Sequence, residues 1–466
     1  MLNGTAMGVK YPELLFFAWF TIIVLSMIIV VPVFRGKRAL LTARSFVLLG
    51  GVIYTGVSCL EVYYSPYPWP ELTWFTPTYG EVQRFFGYSL LFYVCFFLFC
   101  RFLPKTTPVS RPLVGRCPEP SLVVTGVILA ACFVISSVSP LLQDVVGVGE
   151  IAMNFGQVSV AVAATFAAAY FVRSRFSPLG LAILIAVLLV AGLQAMFIFH
   201  GRRLLLSVLM GPVVVLYWTR LRHWRPTKLF VIQGVAGMSI LAMLLVFSTF
   251  RHYDAKGKNR EERSRTGIVE RLSSVRLEAI TRQLNDIPAY FAQHTAYNAM
   301  LLMRLTENKT LDVKPLESAK HVLTYPIPRR VWPNKPRPLG VYIVREVLGM
   351  PYKTSWGLNV VGISVAEGGL YAVVVYALMI SIVVRFFDDA IYAEPDNPFL
   401  FALLAAASPH LVCWVRGGIG GMTINCIDAL ALVTVLSIAS RLLFGAARRS
   451  AVTPAYRRAP IDQLTG

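Results

Sequence analysis

The chain has 466 residues, 56% of them hydrophobic and only 15% charged, with a formal net charge of +20. Ordinary soluble domains carry about 25% charged residues, so this composition argues against a soluble globular enzyme and for a polytopic membrane protein. The positive charge reads as topological rather than as a nucleic-acid footprint, because cytoplasmic loops of membrane proteins carry excess Lys and Arg.

A helix needs about 20 mainly apolar residues to cross a hydrocarbon core of roughly 30 Å. Eleven such runs occur, at about 14–34, 40–60, 85–101, 121–140, 152–172, 179–199, 204–219, 229–249, 362–384, 398–415 and 426–445. The first, Leu14 to Phe34, lacks a basic n-region and a small-residue cleavage site, so it reads as a span rather than a signal peptide. The expected fold is all-α: a transmembrane bundle of about 11 spans with one large outer loop carrying amphipathic helices. Spans one to eight occupy 1–249, the loop 250–361, spans nine to eleven 362–445, and a basic tail 446–466. Cys59, Cys95, Cys100, Cys117, Cys132, Cys413 and Cys426 show no metal-ligand spacing and read as small hydrophobes.

One alternating set of connections holds Arg35, Lys37 and Arg38, then Arg101, Lys105, Arg111 and Arg116, then Arg173 and Arg175, then Arg220, Arg222, Arg225 and Lys228. This set marks the cytoplasmic side, and the tail joins it with Arg448, Arg449, Arg457 and Arg458. The opposite connections are poor in Lys and Arg; the stretch 61–83 is acidic and aromatic. The N-terminus is therefore placed outside and the C-terminus inside.

The hairpin between spans six and seven reads "HGRR", with His200, Arg202 and Arg203 on the outer side. The 15 apolar residues of span seven rise only about 23 Å as a helix, which draws the arginines to or below the headgroup level. Gly211 and Pro212 within it predict a kink. Interfacial arginines often only snorkel, but two of them on a short span and on the sparsely basic side favour a functional role. Arg251 and His252 end span eight on the same side. In the long loop, apolar residues recur at helical spacing over 266–288, and "TAYNAMLLMRL" at 295–305 is apolar but too short to span. Amphipathic helices on the outer interface, or capping a cavity, are expected there.

The densest basic segment is "YPIPRRVWPNKPRP", 325–338, with five prolines that exclude a helix and predict a stiff, extended strap. It carries Arg329, Arg330, Lys335 and Arg337 around Trp332. Guanidinium groups on a stiff strap suit a diphosphate; the alternative is a basic loop resting on anionic lipid. Asn359 and Glu367 lie at the outer mouth of span nine. A carboxylate entering an apolar run is a functional candidate by default, here either as a general base or as an arginine-orienting group. His410 lies inside span ten after Pro409, as a satisfied core histidine or a base, and Arg416 begins the outer turn. Walker loop, dinucleotide fingerprint, zinc motif and nucleophile elbow are absent from the sequence, and no metal or cofactor is expected.

The strap "PRRVWPNKP" (328–336), the run "GLNVVGISVAEGGLYAVV" (357–374) and the HGRR hairpin together resemble Wzy-type oligosaccharide repeat-unit polymerases, the O-antigen polymerases. Arg329 and Gly340 match the loose Arg-x10-Gly pattern of outer loops in that family. The resemblance covers roughly residues 180 to 445, and the family is similar to O-antigen ligases. It implies glycan polymerisation at the periplasmic face of a bacterial inner membrane, in lipopolysaccharide or exopolysaccharide synthesis. Donor and acceptor would be glycans on undecaprenyl diphosphate in the lipid bilayer, with a chain-length regulator protein as a further partner and no metal. It implies that Arg329 and either Arg202 or Arg203 stabilise the leaving diphosphate, assisted by Arg416 and Arg330. Glu367, then His410 or His200, would take the acceptor proton, and Trp332 with the aromatic stretch 63–75 would stack on sugars. Arg251, Lys335 and Asn359 complete the expected substrate-binding set. The competing readings are a ligase, a transporter or flippase of lipid-linked glycan, and a structural scaffold.

Overall fold

The computed structural model describes residues 11–64, 75–106, 117–143, 145, 148–199, 202–255, 292–327, 330–332, 334–336, 338–349 and 356–445. Among them, 11 helices are long and apolar enough to cross a membrane. These are α1 (Pro12–Phe34), α2 (Ala43–Tyr64), α3 (Tyr79–Phe102), α4 (Leu122–Leu142), α5 (Gly149–Arg173), α6 (Pro178–Phe197), α7 (Arg202–Thr219) and α8 (Pro226–Ala255), followed after the loop helices by α11 (Val360–Ala393), α12 (Pro398–Gly417) and α13 (Ile419–Phe444). The two longer loop helices are α9 (Thr295–Glu307) and α10 (Glu317–Leu323), followed by a short helical stretch over 339–347. The chain is an all-helical, multi-pass membrane bundle. The 266–288 segment and the tail beyond residue 445 lie outside the described residues.

Tertiary contacts sort the helix ends into two faces. At one, Ala39 N donates to the Tyr392 hydroxyl at 2.9 Å, Trp218 Nε1 to the Leu41 carbonyl at 3.1 Å, and Thr106 N to Asp389 at 2.7 Å. Part-buried Asp388 accepts from Ala43 N at 2.7 Å and so receives the start of α2. This is the face on which the basic connections fall, and it is called the basic end below. The opposite end gathers the starts of α3, α5, α7, α11 and α13 with both loop helices.

α12 is the central helix: 89% of its apolar window is buried, against 11% for peripheral α8. Small side chains allow this. Ala402 and Ala405–Ala407 on α12, and the alanines between 161 and 169 on α5, let backbones approach closely. A Cβ on Gly50 of α2 would stand 2.2 Å from the Val412 carbonyl oxygen of α12. Gly50→Ala is therefore expected to force the two helices apart and destabilise the fold by about 1–3 kcal/mol. A lowered unfolding midpoint in detergent checks this, and an unchanged midpoint contradicts the close approach. Pro409 removes a backbone donor inside α12 and would orphan the Ala405 carbonyl. The Ser408 hydroxyl replaces it, donating to that carbonyl at 2.9 Å. In α7 the helix runs through Pro212, and Gly211 fits against Thr165 of α5.

The apolar loop helix departs from expectation. α9 does not lie on an interface: residues 295 to 303 are buried throughout, packed among α2, α3 and α11. A helix apolar all round belongs in a core rather than at a boundary. Its start has no side-chain cap of its own. α2 supplies one, as Glu61 accepts from His294 N at 2.9 Å and Ser58 from Ala296 N at 2.8 Å. These satisfy orphan donors and place a carboxylate at the positive end of the helix. Glu61 also pairs with His294 Nδ1. Arg304, at the other end of α9, forks onto Glu81 of α3 and lies 4.4 Å from the centroid of the Phe75 ring.

Candidate anion site

Three elements bring cations together at the opposite end. α7 begins with Arg202 and Arg203, α12 ends with Arg416, and α2 passes beside both with Tyr54. Arg203 is turned into the bundle, where Nη1 donates to the Met422 thioether of α13 at 3.0 Å. Cys413, Arg416, Tyr54 and Arg202 stand within electrostatic reach of it. Arg416 Nε is buried and has no hydrogen-bond partner among the described residues. No ion pair to either arginine occurs among the described residues. Two like charges in a low-dielectric place repel, and a thioether is a weak acceptor. The pair is thus electrostatically unfinished and suited to a multiply charged anion.

The local sequence explains why Arg416 can be held there. Gly357 lacks a side chain, and a Cβ on it would stand 2.7 Å from Arg416 Cγ. Gly417 takes φ +123°, which lets the chain turn against Leu358 and Asn359, and Asn359 N donates to the Arg416 carbonyl at 2.8 Å. His410 lies six residues earlier on α12, about 9 Å along the helix, within electrostatic reach of Arg203. It is 9% exposed, and its Nδ1 has no partner among the described residues. It borders a small cavity with Asn154 and Gln157 of α5, Ser207 of α7 and Asn425 of α13.

The strap meets this site across the first turns of α13. A Cβ on Gly420 would stand 3.0 Å from His321 of α10, two residues before Met422. His321 Nδ1 lies 3.0 Å from the Pro336 carbonyl and so ties the strap to α10. Where it is described, the strap is not extended but turns, with Ile327 N bonded to the Thr324 carbonyl and Lys335 N to that of Trp332. Five prolines exclude a helix but do not exclude turns. Lys335 departs from the substrate-binding role expected of it. It is 6% exposed, and its ammonium donates to the carbonyls of Tyr325 (2.8 Å) and Ile327 (3.2 Å). Tyr325 in turn donates to Asp428 of α13 at 3.2 Å and accepts from Asn154 at 3.0 Å. Burial and the Asp428 carboxylate push its phenol well up, so it stays a donor. Arg330 and Trp332 are exposed on the strap surface. Gly340 seats against the Trp356 carbonyl, 2.5 Å from where a Cβ would be.

Glu367 also departs from expectation. Its carboxylate accepts from Ser318 N at 2.9 Å, Ser318 Oγ at 2.6 Å and the Tyr376 hydroxyl. Its carbonyl, released where Gly368 and Gly369 break α11, accepts from Leu316 N at 3.0 Å. Glu367 thus fastens α10 to α11, with neither arginine among its partners. Glu367→Gln is expected to cost about 1–3 kcal/mol of stability and to leave the specific activity of the folded fraction unchanged. Well-folded but inactive Gln protein would return Glu367 to the chemistry. Asn359 is likewise structural: its Oδ1 caps α11 through Val361 N at 3.0 Å, and its Nδ2 donates to the Tyr54 carbonyl at 2.9 Å.

Of the other expected residues, Arg202 is half-buried beside Arg203. His200, Arg329 and Arg337, and the side chain of Arg251, lie outside what the structure describes, as do residues 65–74 of the aromatic stretch. Sequence reasoning missed Tyr54, Cys413 and Met422. Tyr54 and Cys413 read as ordinary residues within spans and Met422 as an apolar residue of the turn between spans ten and eleven, and only the three-dimensional crossing of α2, α7, α12 and α13 singles them out.

Fold and site together define a polytopic helical membrane protein with an arginine pair at one end of its bundle to which no ion pair forms among the described residues. No family model, curated protein or solved structure matches the chain significantly.

Proposed function

We propose that this protein is a membrane glycosyltransferase that polymerises oligosaccharide repeat units carried on undecaprenyl diphosphate. On this reading the basic end faces the cytoplasm, and the arginine pair works at the periplasmic face of a bacterial inner membrane. The observation that carries the reading is the convergence of Arg203 and Arg416, more than two hundred residues apart in sequence, with no ion pair to either among the described residues. An acceptor sugar hydroxyl attacks the anomeric carbon of the donor glycan. The new glycosidic C–O bond forms as the bond from that carbon to the diphosphate oxygen breaks. The lipid diphosphate leaves with the electron pair, and fixed guanidinium groups stabilise the charge that develops on it. The acceptor proton goes to His410 Nδ1, which is buried and has no partner among the described residues. Arg330 and Trp332, exposed on the strap above, contact the glycan.

Lipid analysis of a deletion strain tests the reading. A polymerase predicts glycolipids carrying a single repeat unit. Long glycan accumulating on undecaprenyl diphosphate would instead indicate a ligase, and repeat units trapped on the cytoplasmic face a flippase. His410→Asn is expected to lower chain extension by about a hundredfold or more, measured as the product ladder; a normal ladder would exclude it as the base.

A further inference from the structure

We infer that Tyr54 is the third ligand of the anion held by Arg203 and Arg416, donating a hydrogen bond from its phenol; this rests on the reading of the pair as a diphosphate site. Tyr54 is 7% exposed, and its hydroxyl faces Cys413, one helical turn before Arg416 on α12; Gly357 packs against both Arg416 and Thr295, which holds the Tyr54 carbonyl. Buried tyrosines normally satisfy their hydroxyl with a good acceptor. Here the hydroxyl shares a hydrogen bond with the Cys413 thiol at 3.5 Å, either of the two donating, and sulfur is a weak partner. Arginine has only donors to offer. Two guanidinium groups and a phenol therefore stand together, and their partners among the described residues are at best sulfur atoms, with Arg416 Nε having none.

The backbone around Tyr54 is built to hold it there. Residues Val52–Val57 form a π-helical turn inside α2, a distortion that recurs at functional sites. The Tyr54 carbonyl is gripped from outside its own helix by Thr295 Oγ1 of α9 at 2.8 Å and by Asn359 Nδ2 of α11 at 2.9 Å. The long loop thus reaches into the bundle and fixes the turn carrying the phenol. Thr295 and Asn359 are positioning residues, and Tyr54 is the group that touches the ligand.

The test uses the full-length protein in lipid nanodiscs and farnesyl diphosphate as probe. Wild type is expected to bind it; Arg203→Gln and Arg416→Gln to bind it at least tenfold more weakly; and Tyr54→Phe to bind it about tenfold more weakly at an unchanged unfolding temperature. Failure of the wild type to bind any diphosphate would overturn the reading of the arginine pair itself. Wild-type binding that both arginine variants lose and Tyr54→Phe keeps would overturn the Tyr54 inference alone. Should the Phe variant unfold, 3-fluorotyrosine at position 54 preserves the hydroxyl and reports on it. Its 19F resonance is expected to shift on adding diphosphate and to stay put with farnesol, whereas no shift in a binding-competent protein would overturn the assignment.

Discussion

Arg416→Gln is expected to reduce glycan-chain extension by about a hundredfold to a thousandfold while leaving the protein folded. The loss follows from removing one fixed donor from the charge that develops on the leaving diphosphate, an effect worth about 3–4 kcal/mol in the transition state. The preserved fold follows from what Arg416 lacks: its Nε has no hydrogen-bond partner among the described residues, and no carboxylate is left orphaned when it goes. Removing one of two mutually repelling charges is expected to hold the unfolding temperature constant or raise it, as at sites where function costs stability. Product ladders and unfolding curves measured on the same preparations decide the matter. A normal ladder from the folded variant would remove Arg416 from the chemistry; a collapsed unfolding temperature would make it a structural residue.

Glu81→Ala is expected to be among the most damaging single changes to stability, at about 3–5 kcal/mol. Glu81 is 2% exposed and is used twice. It caps its own helix by accepting from Thr78 N at 2.7 Å, and it accepts the forked guanidinium of Arg304, whose Nη2 lies 2.6 Å from Oε2. Without it, Arg304 keeps the Phe75 ring and the Thr76 carbonyl at 2.8 Å, but its charge is left half-buried and unpaired. α9 would then lose its hold on α3, and the grip of Thr295 on the Tyr54 turn would loosen with it. The exposed pair Arg84–Glu307 provides the contrast, since breaking it is expected to cost under about 1 kcal/mol. Unfolding midpoints in detergent compare the two, and equal losses would contradict the distinction between buried and exposed pairs.

How much of this was legible in advance differs from element to element. The 11 spans were readable because hydrocarbon imposes a length and a composition on each segment independently of its neighbours. Their alternation was readable from the basic connections, and the two-ended sorting of contacts agrees with it. Arg203 and Arg416 were legible as candidates because a charge inside or beside an apolar run is costly and stands out. Glu367 stood out for the same reason, yet its cost is met locally by Ser318 and Tyr376. Rarity marks a residue as held by something, but not by what.

Composition and hydropathy by themselves determined that this chain is a helical membrane bundle, where its spans fall, and which few charged side chains needed an explanation. Only the tertiary structure decided which of those charges find partners. Glu61 finds His294 and Glu81 finds Arg304, Lys335 turns onto its own strap, and Arg203 meets Arg416 with no ion pair to either among the described residues. The physical reason is one of range. Burial of a span is settled within twenty residues by the surrounding solvent, whereas pairing of a buried charge is settled by helices that cross from distant parts of the chain.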